Sequence, residues 1–242
     1  MQPVTELRLR AIEGIPEIRP DDDLGALLAS RVPPGPGILV VAQKIVSKAE
    51  GRLVRLPEVE PSAESVALAQ KVDKDPRLVE VIRRESVRIV RAVPGVLICE
   101  TRHGLICANA GVDQSNVPED DMAILLPIDP DTSAGGLRDA LGPGRGVIIA
   151  DTFGRPWREG QVDVAIGVAG LQAIDDQRGG RDRAGRELQV TVMALADQLA
   201  GAAGILMRKD VGHPAVWIEG IAPEGEGSLR DLLRDPAQDL FR

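Results

Sequence analysis

The chain has 242 residues, a formal net charge of −8, and only two cysteines, Cys99 and Cys107. That length buries a sizeable core without staples, the acidic balance argues against a phosphate-backbone binder such as a DNA-binding domain, and the absence of any run of about 18 apolar residues argues against a membrane span. Tyrosine is absent and the aromatic residues are Phe153, Phe241, Trp157 and Trp217, so base-stacking platforms are unsupported and the core must be aliphatic.

Residues 5–12 alternate, with Leu7, Leu9 and Ala11 on one face, which predicts a half-buried strand leading into Gly14-Ile-Pro-Glu-Ile18. A helix follows, capped by Asp21 to Asp23 and carrying the apolar stripe Leu24, Leu27, Leu28 and Val32 until Pro33-Pro-Gly-Pro-Gly37 stops it. Residues 38–42 read as a fully buried strand, and residues 43–52 leave it with Lys44 and Lys48. Two helices are predicted at 61–72 and 76–85, each with an early proline. Strands at 87–93 and 96–99 turn at Pro94-Gly95, and further strands are expected at 105–108, 122–126, 147–150, 164–168 and 215–219. Helical patterns cover 133–141 and 188–207, and after a turn at 223–227 a short amphipathic piece carries Leu229, Leu232 and Leu233. Strands and helices mix without a regular βαβ rhythm, which predicts an α+β fold with mixed and antiparallel sheets and packed helices, as a single domain over residues 1–242. The N-terminus lacks the plan of a secretory signal and both cysteines lie inside apolar runs, so buried free thiols in a cytoplasmic protein are expected.

Two segments stand out chemically. Asn109-Ala-Gly-Val-Asp-Gln-Ser-Asn-Val-Pro118 and Asp151-Thr-Phe-Gly-Arg-Pro-Trp-Arg158 each leave an apolar run and deliver a carboxylate, Asp113 or Asp151, into a polar loop. Carboxylates with neighbouring hydroxyls or amides, here Thr152 and Asn116, offer the hard oxygen ligands of Mg²⁺ or Mn²⁺; turn-forming Asx residues would look the same. Lys44 and Lys48 flank Ser47 four residues apart in a chain that prefers arginine, and suit phosphate as point charges, with a solvated face as the alternative. Arg155 and Arg158 bracket Trp157 and either clamp an anionic substrate or pair with Glu159 or Asp163. With only His103 and His213 present, a histidine-rich zinc site or a Ser-His-Asp triad has little material. The glycine-rich stretch 178–186 matches neither a P-loop nor a dinucleotide fingerprint and reads as a loop.

Taken together, Gln43-Lys-Ile-Val-Ser-Lys-Ala-Glu-Gly-Arg52, Ala110-Gly-Val-Asp-Gln-Ser-Asn116, Asp151-Thr-Phe-Gly-Arg-Pro-Trp-Arg158 and Ala215-Val-Trp-Ile-Glu-Gly220 make the chain resemble the coenzyme F420-0:L-glutamate ligase family over nearly its whole length. The resemblance implies GTP-dependent addition of L-glutamate to a deazaflavin phospholactate-type acceptor, F420-0, followed by further γ-linked glutamates. It implies a divalent cation, K⁺ and a homodimer, without nucleic-acid or membrane partners. By matching motif, Ile15, Pro16, Glu17, Ile18, Gln43, Lys44, Lys48 and Asn116 would contact GTP, and Asp113, Asp151 and Thr152 would hold metal, with Asp113, Asp151 and Lys48 carrying catalysis. One departure stands out: where archaeal members place a glutamine ligand, this chain reads Met207-Arg-Lys-Asp-Val-Gly-His213, so Lys209 would meet the nucleotide or Asp210 would replace the ligand. No covalent nucleophile is needed if GTP activates a carboxylate as an acyl phosphate. A nucleotide-binding regulator or a metal-dependent phosphohydrolase would use the same residues.

Overall fold

The computed structural model describes residues 4–115, 121–208 and 210–239. In chain order the elements begin with β1 (Arg8–Ala11), α1 (Leu24–Ala29), β2 (Gly37–Ala42), α2 (Gln43–Ala49) and β3 (Leu53–Arg55). Then come α3 (Ala63–Val72), α4 (Pro76–Arg84), β4 (Ser86–Val93), β5 (Val96–Thr101), β6 (Ile106–Ala108), β7 (Met122–Ile124) and α5 (Pro130–Leu141). The last are β8 (Arg145–Arg155), β9 (Arg158–Ala169), β10 (Asp175–Asp176), β11 (Val192–Met193), α6 (Leu195–Gly204), β12 (Ala215–Glu219) and α7 (Leu229–Leu232). The fold is α+β, as the sequence predicts.

The principal sheet has the order β1-β12-β2-β8-β9, and its one parallel pair is β2 with β8, registered from Gly37 opposite Arg145 to Ala42 opposite Ala150. An uninterrupted apolar strand belongs where both faces are covered, and β2 is such a strand. Its Leu39 and Val41 join Leu28, Leu137 and Trp217 on one side, while Ile38 and Val40 join Leu199, Ala200 and Ala203 on the other. Trp217 lies so close to the start of β2 that a Cβ at Gly37 would sit 2.4 Å from its ring, which explains glycine there. A third cluster packs α3 and α4 against one face of the β4-β5-β6 sheet through Val72, Val79, Ile82, Leu97 and Cys99. Cys99 and Cys107 are free, buried and directly opposite in the β5–β6 register.

Several boundaries differ from expectation. The strand foreseen at 147–150 continues to Arg155 and forms a long hairpin with β9, so Asp151 lies inside a strand and not in a loop. The helix foreseen from 188 starts only at Leu195, because Val192–Met193 pairs with Asp175–Asp176. Residues 43–49 form a helix that the sequence does not announce, since Ala42 at its N-cap supplies no side-chain hydrogen bond. Ser62 and Asp75 cap α3 and α4, leaving Pro61 outside the first of them. Near the C-terminus, the Asp131 carboxylate accepts backbone N–H groups of Val168, at 2.8 Å, and Leu229, at 3.0 Å, which fastens α7 to the sheet. Among the described residues no helix is long and apolar enough to cross a membrane.

Candidate functional site

At the carboxyl end of the parallel pair the two strands part company: β2 turns directly into α2 after Ala42, whereas β8 runs on beyond its partner Ala150. Diverging neighbours at such a point open a crevice. A cavity of about 540 Å³ lies there. Its walls are Ile15, Pro16, Glu17 and Ile18 from the loop after β1, Gln43, Lys44 and Lys48 from α2, Asp151 and Thr152 from β8, and Asp163 from β9. Met207, Arg208, Gly212, His213 and Pro214, between α6 and β12, close the remaining side.

The sequence motifs therefore converge on one place, with some changes of role. Asp113 is not on the cavity wall but reaches it through Lys44, whose Nζ lies 2.7 Å from Asp113 Oδ2 and 2.6 Å from Ser115 Oγ. Asn116 and Lys209, both expected at the nucleotide, lie outside the described residues. Asp210 forms an exposed fork with Arg208, at 3.0 and 2.7 Å, and does not line the cavity. Arg155, Arg158 and Trp157 occupy the tip of the β8–β9 hairpin, away from the cavity wall, and Arg155 is spent on the carbonyls of Glu159 and Gly160. His213, set aside in the sequence for want of partners, is on the wall.

Gln43 is the most informative side chain. It is 1% exposed, its carbonyl oxygen accepts the Ser47 hydroxyl at 2.8 Å, and its amide nitrogen has no partner among the described residues. A buried donor left unmade costs about 1–3 kcal/mol, which makes this amide an unusual feature of the cavity wall. Lys48 is also buried, and its ammonium meets Glu17 Oε1 at 2.5 Å.

The carboxylates differ in their electrostatics. Burial pushes the Asp151 carboxyl up to about 6; the Thr152 amide and Lys44 pull it back, while Asp113 and Asp163 push it further. Burial would likewise raise Asp113, but the hydrogen bond from Lys44 and those from Ser115 outweigh it and hold that group below its usual value. Asp163 accepts the Thr152 hydroxyl at 2.6 Å from the directly opposite position on β9. In the sequence Asp163 reads only as a counter-ion for Arg155 or Arg158, because nothing short of the hairpin register sets it beside Thr152. Burial and the nearby Asp151 charge push the Cys107 thiol up to about 12, so it is an inert neighbour of the site.

The family model described as F420-0:Gamma-glutamyl ligase matches residues 14–220. The chain belongs to this family. A Methanopyrus kandleri protein named coenzyme F420:L-glutamate ligase is 48% identical, covering 96% of this chain and 97% of the relative. Proteins of the same name from Methanothermobacter thermautotrophicus and Archaeoglobus fulgidus are 45% and 41% identical, covering 98% and 96% of the chain and 99% and 94% of the relatives. The matched span begins at the loop before Glu17 and ends just after β12, so it contains every element that lines the cavity.

Proposed function

We propose that this protein joins L-glutamate to the deazaflavin acceptor F420-0 at the expense of GTP, and then adds further γ-linked glutamates. The observation that carries the reading is the convergence of Glu17, Gln43, Lys44, Lys48, Asp151 and Thr152 on one cavity, in a chain 48% identical to a protein named coenzyme F420:L-glutamate ligase.

The donor set fits a hard divalent cation. Asp151 and Thr152 on the cavity wall, with Asp113 behind Lys44, offer oxygen atoms only, and burial raises the Asp151 carboxyl although the Lys44 ammonium pulls it back. Among the described residues no three His, Cys, Asp or Glu side chains form a ready-made metal cage. The oxygen donors would serve Mg²⁺ or Mn²⁺ held by one or two carboxylates together with waters and nucleotide phosphates, with K⁺ as a further partner of the same oxygens. When bound, the cation supplies neutralisation of phosphate charge.

The chain's own residues do the rest. The Gln43 amide and the Lys44 and Lys48 ammonium groups bind and orient the triphosphate. Glu17 withdraws from Lys48 as phosphate oxygens take its place. The acceptor carboxylate attacks the γ-phosphorus and GDP leaves, giving an acyl phosphate; the glutamate amine attacks that carbonyl, phosphate leaves and the amine proton is lost to solvent. Positioning and charge neutralisation account for such a transfer, and no protein nucleophile takes part. The protein acts as a homodimer in this reading, which sedimentation equilibrium checks. Product analysis tests the reaction itself: an acceptor heavier by one glutamyl residue, with GDP and phosphate, supports ligation. GTP hydrolysis without a heavier acceptor would indicate a phosphohydrolase, and binding without turnover a regulator.

A further inference from the structure

We propose that Asp163 is a positioning residue of the ligase site, acting through Thr152 to turn that hydroxyl into an acceptor-only ligand for the divalent cation. The inference rests on the metal reading given under the proposed function.

Thr152 and Asp163 face each other across the β8–β9 hairpin, and the Thr152 hydroxyl donates to Asp163 Oδ1 at 2.6 Å. A hydroxyl has one proton and two lone pairs. With its proton committed to Asp163, Thr152 has only lone pairs left for the cavity that both residues line. It is thereby suited to a cation and unsuited to donating a hydrogen bond to phosphate. A neutral or absent partner would leave the hydroxyl free to rotate and donate.

The protein also holds Asp163 in place from behind. Helix α6 brings Gly204 against the carboxylate so closely that a Cβ there would lie 2.5 Å from Asp163 Oδ2 and 2.9 Å from its Cγ. At Gly201, one turn earlier, a Cβ would lie 3.6 Å from the Asp163 carbonyl oxygen and 3.3 Å from a Val162 methyl. Glycine inside a helix, as at Gly201, costs roughly 1 kcal/mol against alanine, and Gly204 is the last residue of α6. Its presence at the contact is accounted for by the space the carboxylate needs. Partners that orient a metal-binding side chain typically change metal affinity by about 10- to 100-fold.

The test measures Mn²⁺ binding to the full chain saturated with GTP, from the electron paramagnetic resonance signal of free Mn²⁺ corrected for Mn²⁺ held by GTP alone, with thermal unfolding as a check on folding. Asp163→Asn should weaken Mn²⁺ by about 10- to 100-fold while the protein stays folded. Thr152→Val should cost a similar factor, Thr152→Ser should restore most of it, and Asp163→Asn should cost nothing further in the Thr152→Val background, since one residue acts through the other. Gly204→Ala keeps both polar side chains yet displaces the carboxylate, and should weaken Mn²⁺ in the same way; it carries the test if Asp163→Asn does not fold. Wild-type Mn²⁺ affinity in Asp163→Asn or Gly204→Ala would overturn the inference, as would an equal loss from Asp163→Asn in both backgrounds. Absence of Mn²⁺ binding by the wild type would instead defeat the metal reading on which the inference stands.

Discussion

Lys48 Nζ sits 2.5 Å from Glu17 Oε1, yet the two side chains differ sharply in exposure, 7% for the lysine and 66% for the glutamate. A buried ammonium needs a partner, and breaking such a pair by removing one member is costly. Here the partner is the one with room to leave, as a phosphate-binding lysine requires. Glu17→Gln should lower the unfolding temperature of the nucleotide-free protein and enlarge the stabilisation given by GTP. Lys48→Ala should weaken GTP by about 1.5–3 kcal/mol, or roughly 10- to 150-fold. Thermal unfolding with and without GTP checks both; an unchanged GTP response in Glu17→Gln would mean that the pair is structural only.

Gln43 supplies a more local prediction. Its amide nitrogen has no partner among the described residues, so removing it breaks no hydrogen bond seen at that atom. Gln43→Met combined with Ser47→Ala keeps the length of the side chain, deletes the donor and leaves no buried hydroxyl without its acceptor. The variant should unfold at or near the wild-type temperature while GTP affinity falls by about 1–3 kcal/mol, and calorimetric titration reads the difference. Wild-type affinity in this variant would remove Gln43 from the nucleotide site.

Asp151 gives a pH dependence with a definite sign. Its carboxyl is raised from 3.8 to about 6 in the folded protein. Between those values the folded state holds a proton that the unfolded chain has released, so stability falls as pH rises through the interval, by on the order of 3 kcal/mol, and remains lower above it. Asp151→Asn removes the effect. Without metal it should therefore unfold at a higher temperature than the wild type near neutral pH, with the difference shrinking towards pH 4. Parallel curves for the two proteins across this interval would contradict the burial argument.

Glu80 behaves oppositely, away from the cavity. Its carboxylate accepts the Ser65 hydroxyl and the Ser62 amide and hydroxyl, which hold it down at about 2 against 4.5 ordinarily. The stabilisation is present above the unfolded value and is lost as pH falls from 4.5 towards about 2. Glu80→Gln should lower the unfolding temperature near neutral pH and flatten the acid limb of the stability curve, in contrast to the Asp151 variant.

Much of this was legible in the residues where local rules agree with the fold. The apolar run of β2, the Asp23 cap, the proline that opens α4 and the Pro94-Gly95 turn are short-range signals, and the structure follows them. Lys44, Lys48, Gln43 and the loop at Glu17 reached the site through motif resemblance, and they line the cavity together. Long-range pairing was not legible. The Thr152–Asp163 contact depends on a hairpin register that continues past Gly154, a residue that reads locally as the end of a strand. Helix α2 lacks a capping side chain to announce it, and α6 is shorter than its pattern predicts because Val192 and Met193 answer to a pairing with β10 that no local pattern reveals.

The most direct test of the central claim is mass spectrometry of a reaction containing the purified chain, GTP, Mn²⁺, L-glutamate and the deazaflavin acceptor, run in parallel with Asp151→Ala. The account predicts an acceptor heavier by one glutamyl residue with GDP and phosphate released in step, absent without glutamate and absent in the variant although it remains folded. GTP consumed with no heavier acceptor, or wild-type product from Asp151→Ala at saturating Mn²⁺, would contradict it.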